Sequence, residues 1–428
     1  MKWLHLTAAV MLLAACVSDR IADDSLDEIA ADYVQMTLEI GEREPGYVDA
    51  YYGPPEWRDA AKAAPRSVED LAREATALAA RVNAVDPVTL EPLEQRRRAF
   101  LMAQLKAAST RLRMLQGEKL SFADEAEGLF GVRPEVRPLS TYDPVLARIE
   151  ALVPGRGQLS ERVEAFQQRF TIPTDRLKPV FDAAIAECKR RTATHIALPP
   201  GETFTMEFVT GKSWSGYNYY QGDVTSLIQI NTDLPIRISR AVDLGCHEGY
   251  PGHHVLNSLL EQRLTEQRGW IEFSVYPLYS PQSLIAEGSA NYGIDLAFPG
   301  EQRLRYETRV LYPLAGLPTD QADEYLALLE AMEALQGARF TIARDYLEGR
   351  IDRDRAVELT QKYQLVSKKR AEQSVDFIEE YRSYVINYGL GEDMVEAYVE
   401  AAGDTPEARW AAMERVISEP TLPSDLKR

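Results

Sequence analysis

The chain has few histidines, few cysteines, little basic charge and no long apolar run. Of its 428 residues, 5 are histidine and 3 are cysteine, and the formal net charge is -18 at pH 7. That surplus of acid argues against nucleic acid or anionic lipid as a partner, since both demand basic patches. It favours solubility and says little about fold. Beyond the first residues, no segment approaches the ~18 uninterrupted apolar residues that a membrane-spanning helix needs. There is no repeat period and no low-complexity segment. What remains is a globular composition, 45% hydrophobic and 27% charged, long enough for one large domain or two ordinary ones.

The N-terminus, MKWLHLTAAVMLLAAC, carries one lysine and an apolar run from Leu6 to Ala15. The run is too short to span a bilayer and sits where a secretory signal sits. Leu13-Ala14-Ala15-Cys16 resembles a bacterial lipobox, which implies cleavage before Cys16, lipidation of that cysteine and, with Val17 following, retention at the periplasmic face of the outer membrane. The plainer alternative is a signal peptide cut after a small residue. Cys188 and Cys246 remain. In an oxidising compartment they could pair, but sequence does not fix their distance. Cys246 is expected to be a small core residue, not a nucleophile.

The first half reads as helix. Residues 24–43 place Leu26, Ile29, Tyr33, Met36 and Ile40 at spacings of three and four. Ser67 opens a second helix in capping-box style, and residues 88–116 predict a long third one. Further helices follow around 121–129, 143–153, 158–170 and 175–192. The period then switches to two in TFTMEFVTG (203–211) and SLIQIN (226–231), which predicts two strands forming a small hairpin, with a turn-rich connection between them. Asp233-Leu234-Pro235 predicts a helix start, and from about Pro281 to Gly403 the pattern is helical again. The expected organisation is a leader over 1–16, a linker over 17–23, a helical region over 24–200, a catalytic region over 201–403 and a tail over 404–428. The fold class is mostly α (α+β), with one small sheet placed just before the chemistry.

Three of the five histidines fall in the eight residues from His247 to His254, within DLGCHEGYPGHHVLNS. Catalytic zinc needs three protein ligands and one open position, and H-E-x-x-H places two histidines one turn apart with a glutamate to activate water. Here the second histidine comes late. At ~100° per residue a histidine six places on is rotated by ~240°, and one seven places on sits ~10.5 Å along the axis. Pro251 removes the backbone N–H that would bond the carbonyl of His247, and Gly252 tolerates the dihedrals that follow. A bulge at Tyr250-Pro251-Gly252 then absorbs the extra residues and brings His253 into the second ligand position. His254 is the competing ligand, or else a residue behind the first or facing substrate. The bland alternative is a helix break with solvated or capping histidines.

Glu287, in SLIAEGSANYGIDLAF, is the candidate third ligand, because a carboxylate in an apolar helical run is costly to bury unless paired or bound to metal. Capping, or pairing with an arginine, is its alternative role. Glu248 stands where a general base belongs.

The run H247-E248-G249-Y250-P251-G252-H253-H254, with E287-G288 downstream and INTDLP (230–235) upstream, resembles the bacterial zincin-like family of domains of unknown function numbered 885. PGYVDAYYGP (45–54), LFGV (129–132) and FIEEYRSYVINYGLG (377–391) agree, so the resemblance spans nearly all of the chain after the leader. It implies a multi-helical, zincin-like metallopeptidase fold holding one zinc ion on His247, His253 or His254, and Glu287, with Glu248 as base. Ser289 departs from the bulkier residue that often follows E-G, which bears on pocket shape.

Other parts carry weaker signals. Tyr381, Tyr384 and Tyr388 share a helical face beside Arg382 and are candidates to stabilise an oxyanion, although plain core packing is the preferred reading of that face. By the resemblance, Leu227–Asn231 is an edge strand that holds substrate backbone, with Tyr217 and Tyr219 lining the cleft. The expected function is a zinc-dependent hydrolase, most simply a peptidase of the cell envelope whose partner is a peptide. A lipoprotein with a purely structural metal site and a zinc hydrolase of another amide or ester are the rivals. Oligomeric state is not legible.

Overall fold

In a computed structural model, described over residues 25–212 and 214–427, the chain is a body of helices with two small sheets. The leader and the lipobox with Cys16 lie outside the described residues. Among the described residues no helix is long and apolar enough to cross a membrane.

The first helix, Leu26–Arg43, starts at Ser25, whose hydroxyl accepts from the Glu28 N–H while Glu28 accepts from the Ser25 N–H. Satisfying two orphan donors at once fixes the start. Its apolar stripe of Ile29, Tyr33, Met36 and Ile40 is buried. The helices Val68–Ala84 and Pro92–Leu115 pack beside it and share its core.

That core does not stop at residue 200. Leu101, Leu129 and Phe130 share it with Val275, Tyr279, Leu284, Tyr384 and Ile386. The segment 404–428 holds a helix. Thr405 caps a helix, Pro406–Ser418, that buries Trp410, Met413 and Ile417.

Among the described residues there are five strands: β1 (Val48–Tyr51), β2 (Thr203–Val209), β3 (Gly216–Gly222), β4 (Thr225–Asn231) and β5 (Val275–Pro277). β1 and β5 pair antiparallel as a separate ribbon. In the larger sheet β4 is central, antiparallel to β3 and parallel to β2. The expected hairpin of 203–211 with 226–231 is therefore corrected. The partner in the hairpin is β3, whose Gly216, Asn218 and Gly222 disguise a strand as a turn. The helix expected at Pro235 begins only at Ser239. Asp233 instead accepts from the backbone N–H of Gly211 at 2.7 Å, which ties down the end of β2.

Two helices that carry the site cross at bare backbone. A Cβ on Gly288, in Pro281–Ala297, would stand 2.3 Å from the Gly391 carbonyl, in Ile386–Glu400. No side chain fits between them there.

Candidate metal centre

The helix Ser239–Leu244 runs into a π turn, Gly245–Gly249, that carries His247 and Glu248. Such turns widen a helix by one residue and re-aim side chains. Tyr250 is then extended, the Tyr250–Pro251 peptide is cis, and a new helix starts at His253. The expected bulge within one helix is thus a break between two. The Gly252 N–H donates to the Cys246 carbonyl at 3.0 Å, folding the chain back on itself. A Cβ at Gly252 would sit 1.7 Å from the His247 carbonyl oxygen, so only glycine permits the closure. The result sets the His247 and His253 rings edge to face, with centroids 4.6 Å apart. Behind them Cys246 forms a disulfide with Cys188, on the helix Leu177–Ala193, with Cα atoms 5.5 Å apart.

Glu287 arrives from the helix Pro281–Ala297. Its Oε2 lies 3.2 Å from His247 Nε2 and 3.8 Å from His253 Nε2. All three donor atoms fall within 4.8 Å of one another. Donors around a tetrahedral zinc with bonds of ~2.0 Å stand about 3.3 Å apart, so small shifts suffice. Glu287 Oε2 is buried and has no hydrogen-bond partner, whereas Oε1 accepts from the Tyr384 hydroxyl at 2.8 Å. A buried carboxylate oxygen left bare between two imidazole nitrogens is what a cation site needs. Burial works against charge on His247, but the close Glu287 carboxylate and the nearby Glu248 charge push it up to about 9. Burial and the His247 charge push His253 down to about 4. One ring of the pair therefore offers a free lone pair at neutral pH.

Asn291, one turn after Glu287, was missed by the sequence reading. Its Oδ1 lies 2.8 Å from His247 Nδ1, and its Nδ2 donates to the Tyr388 carbonyl at 3.1 Å. With the amide nitrogen committed, Oδ1 must accept, so Nδ1 carries the proton and Nε2 faces the site. The spacing of four from Glu287 was the available signal.

His254 points the other way. It is fully buried, with Nδ1 2.8 Å from Ser226 Oγ and Nε2 2.9 Å from Glu202. Glu202 also accepts from Tyr250 and pairs with Lys189. Both ring nitrogens are thereby engaged, far from the His247–Glu287 pair in hydrogen-bond terms. His254 pins the backbone that presents His253.

Glu248 is buried at the wall of a cavity of about 550 Å³, and its Oε1 would lie 2.8 Å from a Cβ on Gly216. Glycine at that point lets β3 and the carboxylate meet. Asn218 Nδ2 donates to the Glu248 carbonyl at 2.7 Å, fixing the strand to the π turn. Burial and the Glu287 charge, partly opposed by His247, push Glu248 up to about 7. Asp49 of β1 also lines the cavity and is pushed up to about 7 by burial, Glu287 and Glu248.

The tyrosines sort differently from one another. Tyr381, Tyr384 and Tyr388 all line the cavity. Tyr384 is committed to Glu287, while the Tyr388 hydroxyl makes no hydrogen bond among the described residues. Arg382 is not at the site: its Nε and an Nη hold Glu125 at 2.9 and 2.8 Å. Tyr217 lines the cavity beside Trp214, whereas Tyr219, expected there as well, does not line it and sets its ring at a tilt against Tyr217, centroids 4.4 Å apart. Leu227–Asn231 cannot offer a free edge, because β4 is paired on both sides. Among the described residues β3 is paired only with β4, and its Gly216, Tyr217 and Asn218 line the cavity.

Fold and cavity together define a mostly helical protein with a candidate metal centre of two histidines and a carboxylate. A crystal structure of a lipoprotein from Colwellia psychrerythraea shares the fold, with a TM-score of 0.54 at 16% identity over 84% of this chain. The chain spans 66% of that protein, just under two thirds of its length. An M32 carboxypeptidase from Deinococcus radiodurans R1 (TM-score 0.38, 13% identity) and a protein called BsuCP (0.40, 12%) each align over 92% of this chain and 88% of their own. Those scores are too low to define a common fold. No family model matches the chain, and no curated protein does.

Proposed function

We propose that the protein is a zinc-dependent hydrolase of peptide bonds, tethered through Cys16 at the periplasmic side of the cell envelope. One observation carries the reading: the bare, buried Glu287 Oε2 faces His247 Nε2 and His253 Nε2. Those three side chains would hold the ion. When bound, it would supply Lewis acidity to a carbonyl and lower the pKa of water.

The remaining work falls to the chain. Glu248, the buried carboxylate beside His247, takes the proton of the attacking water and passes it to the leaving amine. Tyr388 keeps its proton, since burial and the Glu287 charge hold its pKa well above the ordinary value, and its unpaired hydroxyl donates to the developing oxyanion. The substrate backbone lies along the open edge of β3 by strand addition. Asn291 holds His247 in register.

The test is elemental analysis of the purified protein, followed by digestion of a mixed peptide pool with and without chelator. Glu248→Gln should keep its zinc and lose about 10²- to 10⁴-fold in turnover. A fully active variant would remove the mechanism. Zinc with no chelator-sensitive cleavage would leave a structural site instead.

A further inference from the structure

The cavity wall contains a cation that the proposed mechanism does not use. Arg339, on the helix Gln336–Leu347, lines the same cavity as His247 and Glu287. Its guanidinium lies over the rings of Phe377, at 5.0 Å, and Tyr388, at 5.7 Å. Its Nε is buried and has no hydrogen-bond partner. Among the described residues it makes no ion pair.

The other arginines of that wall are all engaged. Arg240 holds Asp243 at 3.3 Å and Ser215 Oγ at 3.2 Å. Arg303 holds Asp243 at 2.6 Å and Glu307 at 2.9 Å. Arg370 donates to the Pro235 carbonyl at 3.0 Å. A half-buried guanidinium with aromatic faces below it, its buried Nε unpaired and no anion beside it, is costly to maintain. Its planar fork matches a carboxylate bidentately. Burial already pulls its pKa below the ordinary arginine value.

Position then narrows the anion. Arg339 touches the Tyr388 ring, that ring lies 6.0 Å from Tyr384, and Tyr384 bonds Glu287. One to three extended residues, at about 3.5 Å each, cover a span of that kind. A peptide whose scissile carbonyl lies at the metal centre would therefore bring its own end to Arg339.

Resting on the peptidase reading above, we infer that Arg339 receives the free C-terminal carboxylate of the substrate, so that the protein removes one to three residues from carboxyl ends. No residue need be recruited from elsewhere, and the peptide's N-terminal side leaves the cavity along β3.

The experiment uses the full-length, zinc-loaded protein and N-acetylated peptides in three forms. One has a free carboxyl end, one is amidated, and one is amidated but carries an acidic side chain near that end. The free acid should be cleaved with a kcat/KM about 10- to 150-fold above the neutral amide, the worth of hydrogen bonds to a charged group. In Arg339→Gln that ratio should fall towards one. Calorimetric binding to the Glu248→Gln protein gives the same comparison without turnover, and it should show the same preference. Equal cleavage of acid and amide would overturn the inference and leave the peptidase reading intact. Rescue of the amide by an acidic side chain would overturn it too, by making the anion a side chain. If nothing is cleaved in a chelator-sensitive way, the peptidase reading fails. Equal binding of acid and amide to Glu248→Gln would then overturn the carboxylate site as well.

Discussion

Replacing Asn291 by leucine should weaken zinc binding without touching a ligand. The substitution nearly preserves volume but removes both polar contacts. His247 Nδ1–H loses the acceptor at 2.8 Å, and the Tyr388 carbonyl loses its donor at 3.1 Å. An unpaired buried donor costs about 1–3 kcal/mol, and losing the partner of a ligating histidine typically costs 10- to 100-fold in metal affinity. The two estimates meet at about 1.4–2.7 kcal/mol. Asn291→Asp keeps the acceptor and should bind zinc at least as well as the leucine variant, by about tenfold or more. Competition against a chromophoric chelator measures both affinities, with thermal melts of the zinc-free proteins as a control for folding. Asn291→Leu with wild-type affinity, or Asn291→Asp as weak as leucine, would show that the tautomer of His247 is not set by this amide.

Three further outcomes follow from the site. His253→Ala should empty it, whereas His254→Ala should keep zinc and lose about 1–3 kcal/mol of stability by leaving Ser226 unpaired and taking one of three partners from Glu202, which metal analysis and urea melts distinguish. Gly252→Ala drives a Cβ into the His247 carbonyl, so it should separate the two imidazoles and abolish metal binding at a folding cost seen by circular dichroism. Burial raises the Glu202 pKa, but bonds from His254, Lys189 and Tyr250 outweigh it and hold the carboxyl below its ordinary value. A depressed pKa contributes stability that is present above the ordinary value near 4.3 and is lost as pH falls through the folded one. Acid denaturation below about pH 4.3 should accordingly flatten in Glu202→Gln.

The histidine spacing carried much of the candidate site in the sequence. Pro251 and Gly252 marked a break, and an acid at 287 in an apolar run marked a buried need. Spacing alone could not separate His253 from His254, because the choice depends on Ser226 in β4 and on Glu202, just before β2, both distant in sequence. β3 was hidden by Gly216 and Asn218, which sit there for contacts with Glu248 rather than for strand propensity. β1 is four residues long, too short for a period of two to register. Arg339 lies on a helix of ordinary composition, and only the absence of a partner, a three-dimensional property, sets it apart. The helix Pro406–Ser418 was legible, with a capping Thr405, Pro406 at its start and apolar Trp410, Met413, Val416 and Ile417 at spacings of three and four.

The glycine crossing at Gly288 and Gly391 has a mechanical consequence. Backbone against backbone leaves no compressible side chain between the two helices, so they translate together or not at all. One helix brings Glu287 and Asn291; the other brings Tyr388 and follows directly on Tyr384. Breathing of the cavity must then come from the opposite wall, where β3 and the Trp214 segment face this block. On the hydrolase reading, substrate would enter by a movement of the sheet past a fixed jaw.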